Sequence, residues 1–471
     1  MSVFFVACNE DAGFSSSPEL RLEFSCDTVT FDTLFTDIAS PAAMFVVHNR
    51  NGHSLRINDV RLAGGGESSF NVMVDGEPGA TVRDIEIRAK DSIYVLASVK
   101  LDKNGNDTPL MVKDSLLFTL ESGVEQYVLL MAYGMDATFM RAPEFTSDTA
   151  LAVGHYVIYD SLVVRQDACL SLSPGTSLYF HDNAFMKVEG CLEAVGEQGN
   201  PVVFRGDRTD RMFSYLPYDR VPGQWGGVRF AATSNGNVLR YCDIHSARYG
   251  VVVEMGDTLQ QRLTVESSRL YNFSGNAMEL QMAHATVNNS LIANAEGNCV
   301  KVVGGNVGFV HCTIANFYVW KQRDVAVALH NSIEGVPAPL HRASFSNCII
   351  AGTKDDELMG YFTEYGDTVP HSVNYFFENS LINTVETDDS CFVNVVFDRP
   401  DSLSFAKAQF RLIDHEEFRY DFHLSEISSA RNIASDRFLE TMPLDADGLP
   451  RTAGAVDAGC FLYVPEETAG E

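Results

Sequence analysis

Polar and aromatic side chains follow the copies of a short motif in the middle of the sequence. They are Tyr249, Tyr271, Asn272, Asn298, Tyr318 and Trp320. Aromatic rings can stack on the C–H faces of sugar rings, and side-chain amides can bond sugar hydroxyls. These residues therefore predict a surface that binds glycan. The alternative is that aromatic residues of the same loops, such as Phe273 and Phe317, turn inward and only cover the core.

A second chemistry would be that of a polysaccharide lyase. Such an enzyme holds a cation, typically Ca²⁺, with carboxylates that neutralise a uronate, and uses Lys or Arg as a base. Arg248 would be the base, and Asp355 and Asp356 would hold the metal. Yet no acidic residue recurs beside the positions equivalent to Arg248, and the acidic cluster 355–357 lies in an insertion, where we expect solvated charge. We therefore predict neither a catalytic residue nor a metal or other cofactor, with the lyase as the alternative.

A glycosidase would need two or three carboxylates on adjacent copies of the motif. Asp243 is predicted to point outward from the first copy, and the equivalent residues of the next copies are Arg269, Leu291 and Thr313. The repeat thus predicts no carboxylate pair at Asp243. Insertions at 205–221 and 352–368 could bring Asp207, Asp219, Asp355 or Asp356 over a neighbouring copy in a way that the pattern alone does not decide.

The motif itself occurs six times between Leu239 and Ile382. Its aliphatic ends are Ile244, Leu270, Ile292, Ile314, Ile350 and Ile382. Small residues stand two positions earlier, at Cys242, Ser268, Ser290, Cys312, Cys348 and Ser380. Apolar residues stand five positions before the ends, at Leu239, Val265, Val287, Phe309, Phe345 and Phe377. A spacing of two keeps two side chains on one side of a strand, whereas a spacing of five requires the chain to bend.

Consecutive aliphatic ends are separated by 22 to 36 residues, the length of one coil of a β-solenoid with loop insertions. Stacked coils would turn the three residue sets into three buried columns. The bend falls at Tyr241, Ser267, Asn289, His311, Asn347 and Asn379. Asparagine tolerates the left-handed backbone conformation, so this position predicts a corner. The sequence therefore predicts a parallel β-helix.

Composition agrees with an all-β protein of two domains. The 471 residues are rich in β-branched and aromatic runs punctuated by Gly, Asn and Asp, with almost no helical periodicity. A formal net charge of −29 disfavours nucleic acid and anionic membranes as partners. Of the ten cysteines, Cys242, Cys312 and Cys348 fall in the small-residue column, so we expect reduced, metal-free thiols that act as small apolar fillers.

The first 18 residues read as a signal remnant and a linker. The apolar run before Cys8 resembles a bacterial lipobox, whose cysteine is lipidated, and the acidic residues Glu10 and Asp11 resemble the export signal of Bacteroidota surface lipoproteins. Residues 19–140 contain seven short strand patterns with turn signals between them. This part resembles the immunoglobulin-like domains of the ASPM-SPD2-Hydin type and is expected to form an antiparallel β-sandwich.

Residues 150–463 resemble the right-handed parallel β-helices of the pectin-lyase-like superfamily. The resemblance rests on Pro174-Gly175-Thr176, Trp225-Gly226-Gly227 and the closing run from Val456 to Phe461. It implies a C-terminal cap, in which Asp447, Arg451 and Asp457 would be structural pins. This superfamily contains lyases, hydrolases and non-enzymatic scaffolds, so the fold does not choose the function.

Together these features predict a lipid-anchored protein on the surface of the bacterial outer membrane. Its β-helix would bind a glycan or a surface protein, with membrane contact only through the lipid on Cys8. A polysaccharide lyase or glycosidase is one alternative. A structural partner of an outer-membrane complex is the other.

Overall fold

The computed structural model describes residues 13–105, 108–213, 215–365, 372–398 and 408–465. Cys8, the predicted site of lipidation, lies outside these ranges. The chain divides into two compact units, which meet between Ala137 and Thr138. The described residues are almost entirely strand and loop, with short 3₁₀ turns at Gly65–Glu67, Tyr218–Arg220 and Asp436–Phe438. None of these is long enough to cross a membrane.

The first unit contains two five-stranded sheets. One is formed, in spatial order, by Glu23–Phe24, Ala43–His48, Ser92–Val99, Phe70–Val74 and Glu77–Pro78. The other is formed by Thr28–Phe35, Glu125–Met135, Leu110–Leu120, Leu55–Leu62 and Thr81–Ile87. Inward-facing residues of both sheets, such as Val47 and Phe118, share one apolar core. Pairing is antiparallel, as predicted, except that Thr28–Phe35 runs parallel to Glu125–Met135.

The second unit is a parallel β-helix whose coils contribute strands to three sides. Side A is an eleven-stranded sheet made of Thr138–Arg141, His155–Tyr159, Ser177–Phe180, Val202–Gly206, Cys242–His245, Arg269–Phe273, Leu291–Ala295, Thr313–Asn316, Ile349–Gly352, Leu381–Ile382 and Val396–Phe397. Sides B and C are two rows of parallel strands that share the long strands Met278–Asn288 and Val300–Val310. All-β architecture with a parallel β-helix is thus the fold.

The remaining strands of side B are Glu144–Phe145, Ser161–Val164, Phe185–Val188, Val228–Phe230, Val251–Val253, Val327–His330 and Leu358–Tyr361. Those of side C are Thr149–Leu151, Cys169–Leu172, Cys191–Val195, Asn237–Arg240, Leu263–Glu266, Leu340–Ser346, Val373–Glu378 and Phe392–Val393. Short antiparallel pairs form at Arg211–Phe213 with Leu216–Pro217, Ser332–Ile333 with Val336–Pro337, and Phe410–Asp414 with Arg419–Leu424.

The three columns predicted from the repeat are confirmed. Ile244, Leu270, Ile292, Ile314, Ile350 and Ile382 are register partners on successive strands of side A, and all are fully buried. The apolar column on side C is equally continuous, and its later rings stack with centroids 4.7 Å apart for Phe309 and Phe345 and 4.9 Å apart for Phe345 and Phe377. In the small-residue column, serine hydroxyls accept backbone N–H bonds, as Ser268 does from Cys242 at 3.0 Å.

The corner between sides C and A is also confirmed. All six corner residues have φ between 45° and 55°, in the left-handed region. Asparagine amides bond their stacked neighbours there, such as Asn347 Nδ2 with His311 Nε2 at 2.9 Å. The repeated backbone conformation lets every coil turn at the same point.

The closing segment, residues 408–465, does not form the terminal cap that was expected. It covers the outer face of side A. Its apolar residues, among them Phe410, Phe422 and Phe461, pack against outward-facing Leu291 and Ile349 on side A. Burial of apolar area explains this position, because the outer face of the later coils is itself apolar. The expected pins do hold the segment. Asp447 pairs with Arg269 at 2.6 Å, Arg451 donates to Asn289 Oδ1 at 2.7 Å, and Asp457 accepts the backbone N–H of Asn432 at 2.9 Å.

The thiols of Cys242, Cys312 and Cys348 are buried and unbonded to other sulfurs. A disulfide does occur elsewhere, between Cys169 and Cys191. These two residues are register partners on adjacent strands of side C and are 22 residues apart, one coil length. This bond was not predicted from the sequence.

Candidate functional site

The outer face of side A carries chemically active residues on its earlier coils. Outward positions alternate with the buried column, so Asp243 and His245 flank Ile244 on the same outer face. The next coil places Arg269 beside Asp243 and Tyr271 beside His245. One coil further, the equivalent residues are Leu291 and Ala293. The change from polar to apolar therefore takes a single coil step.

His245 is the centre of this polar patch. Its Nδ1 lies 2.7 Å from Asp243 Oδ1, and its Nε2 lies 3.4 Å from Asp219 Oδ1. Arg205, on the preceding strand of side A, pairs with the same Asp219 at 2.5 Å. The His245 side chain is only 6% exposed. A buried imidazole between two carboxylates can donate one hydrogen bond to each when it is protonated.

The electrostatics favour that protonated state. Burial alone would lower the pKa of His245, but the charges and hydrogen bonds of Asp243 and Asp219 outweigh it and raise the pKa to about 9. For Asp219, burial acts to raise the pKa, yet the bonds from His245 and the charge of Arg205 lower it overall. At neutral pH the imidazolium therefore cannot accept a proton, and Asp219 is ionised.

Tyr271 covers this group from the next coil. Its ring stacks on the His245 ring with centroids 5.0 Å apart and planes 12° from parallel, and its hydroxyl lies 3.4 Å from Asp243 Oδ2. Burial and the nearby charge of Asp243 raise the pKa of Tyr271 well above its usual range. The hydroxyl therefore stays protonated and acts as a hydrogen-bond donor.

A second histidine repeats the arrangement in the closing segment. His423 is bonded by Nδ1 to Asp421, and its Nε2 lies 2.6 Å from Asp447 Oδ2. Asp447 also pairs with Arg269, which joins the two charged groups across the face of side A. Burial would lower the pKa of His423, but the two carboxylates raise it to about 9. The closing segment is thus attached to the polar patch by paired charges.

A cleft of about 390 Å³ lies between these groups. Asp219, His245, Arg269 and Tyr271 line its solenoid side, with the amides of Asn272 and Asn294. Phe418 and Tyr420 of the closing segment line the opposite side. Trp320 stacks on Phe418 with ring centroids 4.4 Å apart and supports it from behind. The cleft therefore combines aromatic faces, amides and paired charges.

The predicted glycan-binding residues separate into three groups: some lie at the cleft, one is exposed outside it, and two are buried. Tyr271 and Asn272 line the cleft, and Trp320 reaches it through Phe418. Tyr249 is exposed, and it packs against Gly275 outside this cleft.

Asn298 and Tyr318 do not form the surface that we predicted, because both are buried. The Asn298 amide donates to the Val325 carbonyl at 2.8 Å, and the Tyr318 hydroxyl bonds Glu296 at 3.1 Å. Phe273 and Phe317 are fully buried, so for them the inward alternative is correct.

The residues of the lyase hypothesis are not brought together. Arg248 donates to Asn183 Oδ1 at 2.8 Å, whereas Asp356 accepts from Thr384 at 2.7 Å, four coils further along. Four coil steps correspond to about 19 Å. Glu357 does not carry solvated charge as expected, because it forms a fully buried ion pair with Arg323 at 2.5 Å. Among the described residues, no group of three or more His, Cys, Asp or Glu side chains is placed to hold a metal ion.

The repeat did not predict the pair of carboxylates at His245. It gave Asp243 no acidic neighbour, and the insertion at 205–221, whose course the sequence left undecided, folds back and places Asp219 on the other side of the imidazole. The motif did not signal this contact, because residues of an insertion have no repeat register. Asp243 and His245 are two residues apart and so share one outer face. This spacing was a signal for one of the two carboxylates, but not for Asp219.

Comparisons with known proteins add little to this geometry. No family model and no curated protein matches the chain. A family 123 glycoside hydrolase from Clostridium perfringens is 7% identical with a TM-score of 0.20, over 27% of this chain and 30% of its own. A PapD-like domain of human CEP192 is 13% identical with a TM-score of 0.18, over 29% of this chain and 96% of its own.

The catalytic domain of a GH87 α-1,3-glucanase in complex with tetrasaccharides is 9% identical with a TM-score of 0.21, over 74% of this chain and 86% of its own. Values this low carry no inference about function. The fold and the site define a parallel β-helix protein with a charge-paired cleft on one side, and that description rests on the chain's own strand register and contacts.

Proposed function

We propose that the protein binds a neutral oligosaccharide in the cleft on side A. The observation that carries this proposal is the meeting of aromatic faces with charges that, apart from Arg220, are already paired; the Arg220 guanidinium donates to the Glu417 carbonyl. His245 and Arg205 engage Asp219, and Arg269 engages Asp447. A ligand without net charge leaves these pairs intact, and its hydroxyls can bond the remaining lone pairs and amide groups. The aromatic rings supply the stacking surface that sugar rings need.

We also propose that the protein is attached to the outer surface of a bacterial cell. This attachment rests on the motif around Cys8, which would carry the lipid. The alternative of a structural partner in an outer-membrane complex would use the same anchor but no ligand in the cleft. The two functions therefore differ in what the cleft holds.

Affinity electrophoresis through gels that contain xylan, mannan or dextran tests the binding function. We expect retention by at least one of these polymers. Tyr271→Ala should weaken it by about 1–3 kcal/mol, the scale for loss of a well-packed aromatic contact, and Trp320→Ala by less because it acts through Phe418. Tyr127→Ala, at a tyrosine that is 63% exposed on the first unit, is the matched control. Unretarded wild type, or equal losses for Tyr271 and Tyr127, would overturn the proposal.

A glycosidase remains the second candidate, because Asp219 and Asp243 flank His245. Hydrolysis of a glycosidic bond requires one carboxyl group that stays protonated to act as the acid. The lowered pKa of Asp219 opposes that role. Release of reducing ends from the same polymers, lost in both Asp219→Asn and Asp243→Asn, would establish hydrolysis. Retention without release supports binding alone.

A further inference from the structure

Side B ends one coil before the other two sides. Its last strand is Leu358–Tyr361, and the neighbour that it pairs with among the described residues is Val327–His330. The next coil has strands on sides A and C, at Leu381–Ile382 and Phe392–Val393, and residues 383–391 connect them without a strand on side B. One edge of the last side B strand is therefore unpaired within the described chain, at a level where sides A and C both continue.

The backbone of this strand presents hydrogen-bonding groups at the unpaired edge. The Val327 N–H donates to the Glu357 carbonyl at 2.9 Å, and alternate residues of a parallel strand bond the same neighbour. The backbone groups of Leu358 and Gly360 therefore point the other way, toward the free edge. The Asp356 carboxylate accepts the Leu358 N–H at 3.2 Å, and no described group bonds the Gly360 N–H from this side. An unpaired edge of this kind can pair with an extended peptide.

A pocket of about 390 Å³ adjoins this edge. The last side B strand and the loop at 384–387 both line it. Its apolar lining includes Phe377 and Phe392, which belong to the buried core or pack against it, and Phe362 and Tyr375. The Phe362 and Tyr375 rings are nearly parallel with centroids 5.9 Å apart, and Phe362 is 39% exposed. An inward-facing side chain of an added strand would enter this pocket, so the pocket selects for an apolar residue.

The pocket is also acidic. Asp356, Glu386 and Asp389 line it, and its described lining includes no Lys or Arg. The donors that bond these carboxylates are neutral groups, such as the Tyr375 hydroxyl, which donates to Asp389 at 2.8 Å. Bonds from Cys391 and Tyr375 lower the pKa of Asp389, so it is ionised at neutral pH. Negative charge here favours a cationic ligand and opposes a second copy of this chain, which would bring the same carboxylates to the edge.

We propose that the unpaired edge of side B binds an extended basic segment of another protein, which adds a strand to the sheet. One apolar side chain of the segment enters the pocket beside Phe362 and Tyr375, and its Lys or Arg residues contact Asp356, Glu386 and Asp389. This site shares no lining residue with the cleft on side A, so it does not depend on the glycan-binding function proposed there.

Fluorescence anisotropy of the full chain with labelled pentapeptides tests the site. The peptides have the sequence Lys-Thr-X-Thr-Lys, where X is Val, Leu, Ile, Phe or Tyr, so that X and both lysines lie on one face of a strand. A second set replaces both lysines by Glu. We expect at least one basic peptide to bind, with affinity that falls as salt rises. Absence of binding by every basic peptide, or equal binding by the acidic set, would overturn the proposal.

N-methylation of the tightest-binding peptide separates strand addition from capture of a side chain alone. Successive amides of a strand point to opposite edges, so methylation at X and methylation at the next Thr block different edges. One of the two changes should weaken binding about fivefold, the effect of losing one backbone hydrogen bond, and the other should have little effect. Two methylated peptides that bind as tightly as the parent would show that no strand is added.

Phe362→Ala should weaken peptide binding about tenfold with an unchanged melting temperature, because it removes an exposed wall of the pocket. Phe213→Ala, at a phenylalanine that is 55% exposed and does not line the pocket, is the matched control. Equal affinities of the two variants would overturn the proposed location. Sedimentation that reports self-association, lost in Phe362→Ala, would assign the edge to a second copy of the chain and overturn the basic partner.

Glu386→Gln should weaken binding about threefold, the scale for one exposed charge pair. Asp388→Asn, in the same exposed loop but outside the pocket lining, is the control for diffuse attraction. Equal losses in these two variants would show that the peptide is held by the overall charge of the chain and not by the pocket.

Discussion

The outer face of side A shows two different surfaces on one sheet. On the earlier coils it presents Asp243, His245 and Tyr271, which line an open cleft. On the later coils the equivalent positions hold Ile349 and Ala351, which the closing segment covers. The inner columns stay buried and keep their residue class in both regions, although the apolar column on side C changes from Leu and Val to Phe. The comparison teaches that the interior of each coil determines the fold, whereas the outer residues determine what the coil contacts.

The change from polar to apolar outer residues on side A also explains how far the closing segment packs along the β-helix. Small alanines at the covered positions allow the segment to approach closely, and leucine and isoleucine supply apolar area to bury. At Arg269 the next polar coil begins, and contact there is mainly polar: Arg269 pairs with Asp447 and lies over the Phe461 ring, and Arg220 donates to the Glu417 carbonyl. The cleft exists because the segment meets charge where it would otherwise continue to pack.

The largest expected effect comes from placing a charge in the covered region. Ile349→Asp should destabilise the second unit by about 4 kcal/mol, because the carboxylate would be buried without a partner. Val203→Asp places the same charge in the same outward column on an earlier coil, at a half-buried position, and should cost about 1 kcal/mol or less. Thermal unfolding and limited proteolysis of the closing segment measure both. Similar losses at the two sites would abolish the distinction between the regions.

A pH titration should weaken the two histidine groups, one in the polar region and one in the closing segment. Both His245 and His423 have pKa values raised from 6.5 to about 9, so their protonation stabilises the fold fully below pH 6.5 and is lost as pH rises through 9. At pH 7 each raised pKa is worth roughly 2–3 kcal/mol.

We expect hydrogen exchange between pH 7 and 10, after correction for the intrinsic pH dependence, to accelerate more near Ile244 than near Ile350. His245→Gln should remove its share of this dependence. NMR titration of ¹³C-labelled histidine gives the pKa values directly. A midpoint near 6.5 for His245 would contradict the charge-pairing described for the cleft.

The smallest effect is expected at the boundary itself. Arg269→Leu extends the apolar surface by one coil, since Leu291 is its register partner. The pair with Asp447 is 44% exposed on the arginine side, so its loss should change stability by less than about 1 kcal/mol. Differential scanning calorimetry can resolve this. A large loss would mean that the ion pair, and not apolar packing, holds the closing segment in place.

The sequence predicted the interior better than the surface, for a physical reason. Positions such as Ile314 and Cys312 must suit their neighbours on both adjacent coils, so their residue class repeats and can be recognised. Asp219 comes from an insertion and Asp421 from the closing segment, where no repeat constrains the residues. Tyr318 was misplaced because an aromatic residue after a strand serves equally well as core or surface. The spacing of Cys169 and Cys191 did carry the coil length, but no repeat copy was recognised there.

The column of left-handed corners has a consequence for how such a chain can change over evolution. Because each coil turns with the same backbone geometry, a 22-residue unit such as the one between Leu270 and Ile292 can be duplicated or deleted with its interior contacts intact. Each such event would move everything beyond it by about 4.8 Å. The closing segment is tied to Asn289 by Arg451 and to Asn347 by Ser435, so a unit gained between those two points would stretch it. The segment is also bonded to Arg269, Arg220 and Gln198, so units gained before Gln198 would lengthen the solenoid freely.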